Sequence, residues 1–203
     1  MHGITRTISD VINMTWPMVL VSVVIVASIR ICYLIKNRQH FTLYKELLTL
    51  SMIIYVLMLF QVVTSQDVVS WSSNNFIPFK EMLRYKFGSR LFIKNVVGNL
   101  ALFLPYGFFA AYTLKCEKGK LILFLTILAS LTIECVQMAI GRVFDVDDII
   151  LNVLGGLIGY LIYLLIDRIY NMLPKFFKTK FFLNIFAIIL FVCAIVGILF
   201  IMI

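Results

Sequence analysis

Arg142-Val-Phe-Asp-Val-Asp-Asp-Ile-Ile-Leu-Asn-Val-Leu-Gly-Gly-Leu-Ile-Gly159 passes within a few residues from a charged turn into an apolar run. That run continues without a charge from Ile149 to Ile166. Spanning the roughly 30 Å hydrocarbon core of a bilayer takes about 20 helical residues, so the stretch reads as a transmembrane helix with acids at its mouth. Within it, Asp148, Asn152, Gly155 and Gly159 recur at spacings that line one helical face. The upper part of that face is polar, and the lower part is a Gly155-x-x-x-Gly159 close-packing motif widened by Gly156.

The rest of the chain agrees with a bilayer as solvent. Of its 203 residues 62% are hydrophobic and 14% charged, with a mean hydropathy of +1.02. Soluble domains average about 45–50% apolar and about 25% charged, and disorder requires low hydrophobicity. Charge interruptions mark further spans at Met14–Ile35, Leu47–Val63, Val96–Leu114, Leu121–Ile140 and Phe181–Ile203. The expected fold is therefore all-α, a polytopic bundle of about six spans. It divides into two N-terminal spans with the start of a loop (1–74), a core (75–168), and a basic loop with a last span (169–203). Arg30 is expected to snorkel from the end of the first span. That span lacks a small-residue cleavage site and is read as uncleaved.

The formal charge of +8 bears on orientation rather than on nucleic acid, which is not an expected partner. Basic residues cluster after span one (Arg30, Lys36, Arg38, Lys45), after span three (Lys115, Lys118, Lys120) and after span five (Arg168, Lys175, Lys178, Lys180). By the excess of cations in cytoplasmic loops, both termini are expected to be extracytoplasmic. The basic loop between spans two and three, Thr64–Asn95, dissents. Its Lys80–Lys94 stretch interleaves Met82, Leu83, Tyr85, Phe87, Leu91 and Phe92 with Arg84 and Arg90, which suits a segment lying in the headgroup layer.

On that topology Asn99, Glu134, Gln137, Asp148 and Asn152 reach similar depth near the outer leaflet, with Asn95, Arg142 and Asp145 above them. An ionisable group at a helix centre costs about 2.5–3.5 kcal/mol on insertion scales, so Glu134, roughly 9 Å inside its span at 1.5 Å per residue, needs a reason. Interhelical hydrogen bonding is the plain one, at about 0.6 kcal/mol per pair. A ligand site is the other. Pro105 and Gly107 interrupt span three, where proline frees an upstream carbonyl. The four cysteines have neither disulfide nor zinc spacing and, like the glycines, are read as packing residues.

Asn75-Phe-Ile-Pro-Phe79, Asn95-x-x-Gly98-Asn99 with Phe103-x-Pro105-x-Gly107, Glu134-x-x-Gln137, and Arg142-x-x-Asp145-x-Asp147-Asp148-x-x-x-Asn152-x-x-Gly155-Gly156-x-x-Gly159 together resemble the VanZ family over about Asn75–Arg168. The resemblance implies a bacterial plasma-membrane protein with a cell-envelope role. The founding member is associated with low-level resistance to teicoplanin, a lipid-tailed glycopeptide aimed at lipid-linked cell-wall precursors.

Three functions follow as alternatives. In the first, Asn95, Asn99, Glu134, Gln137, Arg142, Asp145, Asp148 and Asn152 bind a lipid-linked precursor, a phospholipid or another lipophilic ligand, without a cofactor. In the second, Glu134 and Asp148 act as an acid/base pair on such a lipid, or Asp145, Asp147 and Asp148 hold a divalent cation. The scarcity of histidine and the lack of a GxSxG or P-loop motif weigh against chemistry. The third is transport, disfavoured because polar residues give way to glycines and apolar residues towards the inner leaflet. The Gly155/Gly159 face is also a candidate homo-oligomer contact. Cysteine introduced at Ser89 is expected to react with an impermeant reagent from outside, and cysteine at Lys118 is not. Labelling only at Lys118 inverts the orientation.

Overall fold

The computed structural model describes residues 2–38, 40–64 and 74–202; the part of the expected interfacial loop at 65–73 lies outside them. The chain is helical almost throughout. Its long helices are α1 (His2–Lys36), α2 (Leu43–Thr64), α5 (Gly98–Leu114), α6 (Gly119–Ala139), α7 (Val146–Met172) and α8 (Lys180–Met202). Two short helices, α3 (Lys80–Arg84) and α4 (Arg90–Phe92), precede a π-helical turn, Ile93–Val97, that runs directly into α5. Thr15–Lys36, Leu43–Thr64, Arg90–Leu114, Gly119–Ala139 and Val146–Met172 are long and apolar enough to cross a membrane, and Lys180–Ala194 is a shorter apolar helix. Large apolar side chains face outwards along these helices, among them Val24, Phe60, Phe124 and Leu161, as expected where lipid replaces water.

Two compact units emerge. One joins residues 1–65 with 172–203, and the other is 66–171. The flanks that read as separate N- and C-terminal segments thus belong to one unit, in which α1, α2 and α8 pack on one another. Arg30 does not simply snorkel. Its guanidinium grips Glu46 of α2 with two hydrogen bonds of 2.9 and 3.0 Å and lies over the Tyr33 ring. A bidentate geometry of this kind satisfies two charges at once. The cysteines depart from their reading as packing residues: Cys32, Cys135 and Cys193 are exposed, and Cys116 alone packs against the Ala111–Ile122–Tyr160 cluster.

In the second unit the glycines of α7 decide the packing. An added Cβ at Gly155 would strike the Leu100 carbonyl of α5, and one at Gly159 the Leu104 carbonyl. A Cβ at Gly107 would strike the carbonyl of Gly156, and one at Gly156 would come within 2.5 Å of Thr126 Cγ2 on α6. The α5 and α7 backbones therefore meet directly, and only the small Thr126 side chain separates α7 from α6, the arrangement small residues allow where no hydrophobic effect drives helices together. The face expected to serve a second copy is covered by α5 of the same chain. Gly98, by contrast, would place its Cβ 3.7 Å from the nearest atom, an ordinary contact. α5 continues as helix through Pro105.

Gly107→Ala and Gly159→Ala are expected to destabilise the protein by about 1–3 kcal/mol, the cost of overpacking a tight interface. Gly98→Ala is expected to be neutral or slightly stabilising, since alanine is the better helix former. Thermal unfolding of the detergent-solubilised protein, followed by loss of the monodisperse chromatographic peak, distinguishes them.

Candidate functional site

The site grows from the end of α6. Its buried face is Ile122, Thr126, Ser130, Glu134 and Gln137, a stripe spaced by four and finally three residues that is polar in all but one position. Gly141, at φ 85°, ends the helix in the left-handed conformation glycine tolerates, and the Arg142 N–H returns to the Gln137 carbonyl at 2.9 Å. The chain thereby folds back over the helix end. The Asp145 N–H then donates to Glu134 Oε2 at 3.0 Å. With its amide turned to the orientation that satisfies both neighbours, Gln137 donates to Glu134 Oε1 at 3.1 Å and accepts from Arg142 Nη1. Glu134, 1% exposed, is thus held at both oxygens.

The loop before α3 is laced to this turn. Asn75 and Asp145 form an isolated parallel bridge, with Asn75 N–H to the Phe144 carbonyl at 2.8 Å and Val146 N–H to the Asn75 carbonyl at 3.0 Å. Asn75 Nδ2 donates to Asp145 Oδ1 at 2.8 Å, and the Phe76 and Phe144 rings stack at 5.3 Å. Burial pushes the Asp145 carboxyl above its ordinary value, opposed by the hydrogen bonds from the Asp147 N–H and Asn75. Asp147, 1% exposed, accepts from Phe79 N–H at 2.5 Å on Oδ1. Its Oδ2 accepts from Glu81 N–H at 2.8 Å and Met82 N–H at 3.0 Å. One carboxylate thus collects three amides from the turn that starts α3, whose own cap residue Phe79 makes no side-chain capping hydrogen bond.

The expected residues separate into levels. Asn99 of α5 donates to Asp148 of α7, and Asp148 lies within the electrostatic reach of Glu134, Asp145, Arg142 and Asp147. Asn152 sits deeper, 4% exposed, and donates to Ser130 Oγ at 3.0 Å. Asn95 does not share the role of Asn99 despite the four-residue spacing, because the wider π-helical turn at Ile93–Val97 intervenes. It pairs instead with the Tyr85 hydroxyl, whose ionisation burial opposes. Asp145, Asp147 and Asp148 turn to three different partner sets, and no His, Cys, Asp and Glu grouping able to hold a metal ion occurs among the described residues.

Sequence reasoning passed over Asn75, Tyr85, Ser130 and Thr126 as site members. The last two carried a signal, since they precede Glu134 at four-residue intervals. The polar stripe therefore reaches further down α6 than expected, although Thr126 turns its hydroxyl to its own helix, at the Ile122 carbonyl. Beyond the lacing, the α3–α4 segment exposes Leu83 at 84% and Phe87 at 87% among Lys80, Arg84, Lys86 and Arg90.

Asp147→Ala is expected to release this segment. Losing a buried acceptor for several donors costs about 1–3 kcal/mol, so amide exchange at Phe79, Glu81 and Met82 should accelerate by about tenfold or more, while exchange in α8 stays unchanged.

Neither curated proteins nor solved structures yield a match to this chain. A family model, described as VanZ/LLP1, matches residues 46–167. That span contains the whole laced turn and, unlike the motifs read from Asn75 onwards, reaches back through α2. With more than half of its length matched, and with α5, α6, most of α7 and the polar turn inside that match, the chain belongs to the VanZ/LLP1 family.

Proposed function

We propose that this VanZ/LLP1 protein is a binding protein of the bacterial cell envelope. On this reading the polar end of the 66–171 unit faces the extracytoplasmic side of the plasma membrane. There it recognises the phosphate or sugar headgroup of a lipid-linked precursor or another lipophilic ligand. One observation carries the reading: the basic and aromatic α3–α4 segment is bound by Asp147 and Asn75 to the turn that holds Glu134, Gln137 and Arg142. Exposed Leu83 and Phe87 are suited to the acyl boundary, and Lys80, Arg84, Lys86 and Arg90 to phosphates beside it. Arg142, Asn99, Asp145 and Asp148 are partly exposed members of the network beneath, whereas Glu134 and Asn152 are buried supports. Masking or altering the surface of a cell-wall precursor would link such binding to teicoplanin tolerance.

The purified protein in phosphatidylcholine nanodiscs is expected to bind a lipid-linked peptidoglycan precursor. Arg142→Gln and Asn99→Ala should weaken that binding about tenfold or more, as loss of charge-assisted and buried hydrogen bonds does, while thermal stability stays within a few degrees of the parent. Binding that survives both changes overturns the site.

A second reading has its own support, since Glu134 and Asp148 interact with each other and both with Arg142. Two carboxyl groups and a guanidinium within electrostatic reach of one another are the groups a proton transfer would use. Under that reading expression alters the lipid profile of the host and Glu134→Gln abolishes the change, whereas a binding protein leaves the profile as it was.

A further inference from the structure

The unit of α1, α2 and α8 carries a different feature, at the end where α1 stops and α2 and α8 begin. A groove of about 360 Å³ opens there, lined by Ile31, Leu34, Ile35, Arg38 and Phe41. Leu34 is buried, while Ile31, Ile35 and Phe41 stand exposed along it. Arg38 is its one charged lining residue and follows the last turn of α1 in the left-handed conformation, at φ 50°.

Charge gathers around this groove. The Tyr44 N–H donates to Asn184 Oδ1 at 3.1 Å, which brings the first turn of α2 against the beginning of α8. The same end therefore carries Lys36, Arg38 and Lys45 from the α1–α2 connection and Lys175, Lys178 and Lys180 from the approach to α8. Across residues 31–46 and 172–184 the only acid is Glu46, and it is already bonded to Arg30. The Phe176, Phe177 and Phe182 rings pack on one another at 4.9–5.8 Å beside the lysines, an aromatic cluster of the kind that settles at headgroup level.

An apolar groove on a membrane helix is ordinarily filled by whichever lipid is nearest. A zwitterionic lipid would satisfy the apolar wall here, but its own cation would face a surface that is already cationic. An anionic phospholipid satisfies both parts, with an acyl chain along Ile31, Leu34, Ile35 and Phe41 and its phosphate at Arg38. We propose that this groove is a binding site for one anionic phospholipid, separate from the polar network of the other unit and independent of its function.

The test uses the full chain in nanodiscs of mixed phosphatidylcholine and phosphatidylglycerol, with retained lipid identified by native mass spectrometry. Phosphatidylglycerol is expected to be retained in preference, and less so as ionic strength rises. Arg38→Gln should cut that preference about fivefold, the share of one basic residue at a membrane surface. Ile31→Trp, which fills the groove and leaves every charge in place, should remove the retained lipid. Lys118→Gln, in the other unit, should change nothing. Equal retention of both lipids, or a preference that persists in both Arg38→Gln and Ile31→Trp, overturns the proposal. So does Arg38-dependent binding of inorganic phosphate alone that Ile31→Trp leaves intact, which would mark a free anion site.

Discussion

Where α7 presents Gly155, Gly156 and Gly159, its backbone meets that of α5 with no side chain between them, and on the α6 side only the small Thr126 side chain intervenes. Everything polar in the 66–171 unit depends on that closeness. An asparagine or aspartate side chain is short, and Asn99 can reach Asp148, or Asn152 reach Ser130, only if the helices carrying them nearly touch. In water the hydrophobic effect would bring helices together whatever their surfaces. In lipid it does not, and close backbone packing with polar pairing takes its place. The glycines set the distance, and the amide–acid pairs fix register and rotation.

The polar groups are also arranged as a fastening. Asp147 holds three backbone amides at the start of α3, and Glu134 holds the N–H of Asp145. A loop at a membrane surface could satisfy its amides with water. Here it satisfies them with buried carboxylates, which ties an exposed basic and aromatic segment to the helical core. The arrangement accounts for carboxyl groups where amides alone would join helices, because an ionised carboxylate accepts several N–H donors at once.

Much of this was legible in order of residues. The long apolar runs identified the spans, and Asn99, Glu134, Gln137, Arg142, Asp145 and Asp148 do gather around one end of α5, α6 and α7. Adjacent acids were beyond such reading. Asp147 and Asp148 differ by about 100° around a helix of 3.6 residues per turn, so one serves the loop and the other Asn99, and nothing in their spacing says which. Asn95 and Asn99 were misjudged together because a π-helical turn has no composition signature. The α1–α2–α8 unit was equally hidden, since helices apolar on every face carry no stripe to point at a neighbour.

What the amino-acid sequence determined by itself is the solvent: scarce charge and long apolar stretches place the helices in lipid, where every backbone group must be bonded internally. It also set which few polar residues stand at similar depth. Tertiary structure alone decided their partners, because pairing depends on which helix faces are brought within hydrogen-bonding distance. Glycine removes side chains rather than naming a neighbour, so the choice of α5 as the cover for the Gly155/Gly159 face, in place of a second copy of the chain, could be made only by the folded chain.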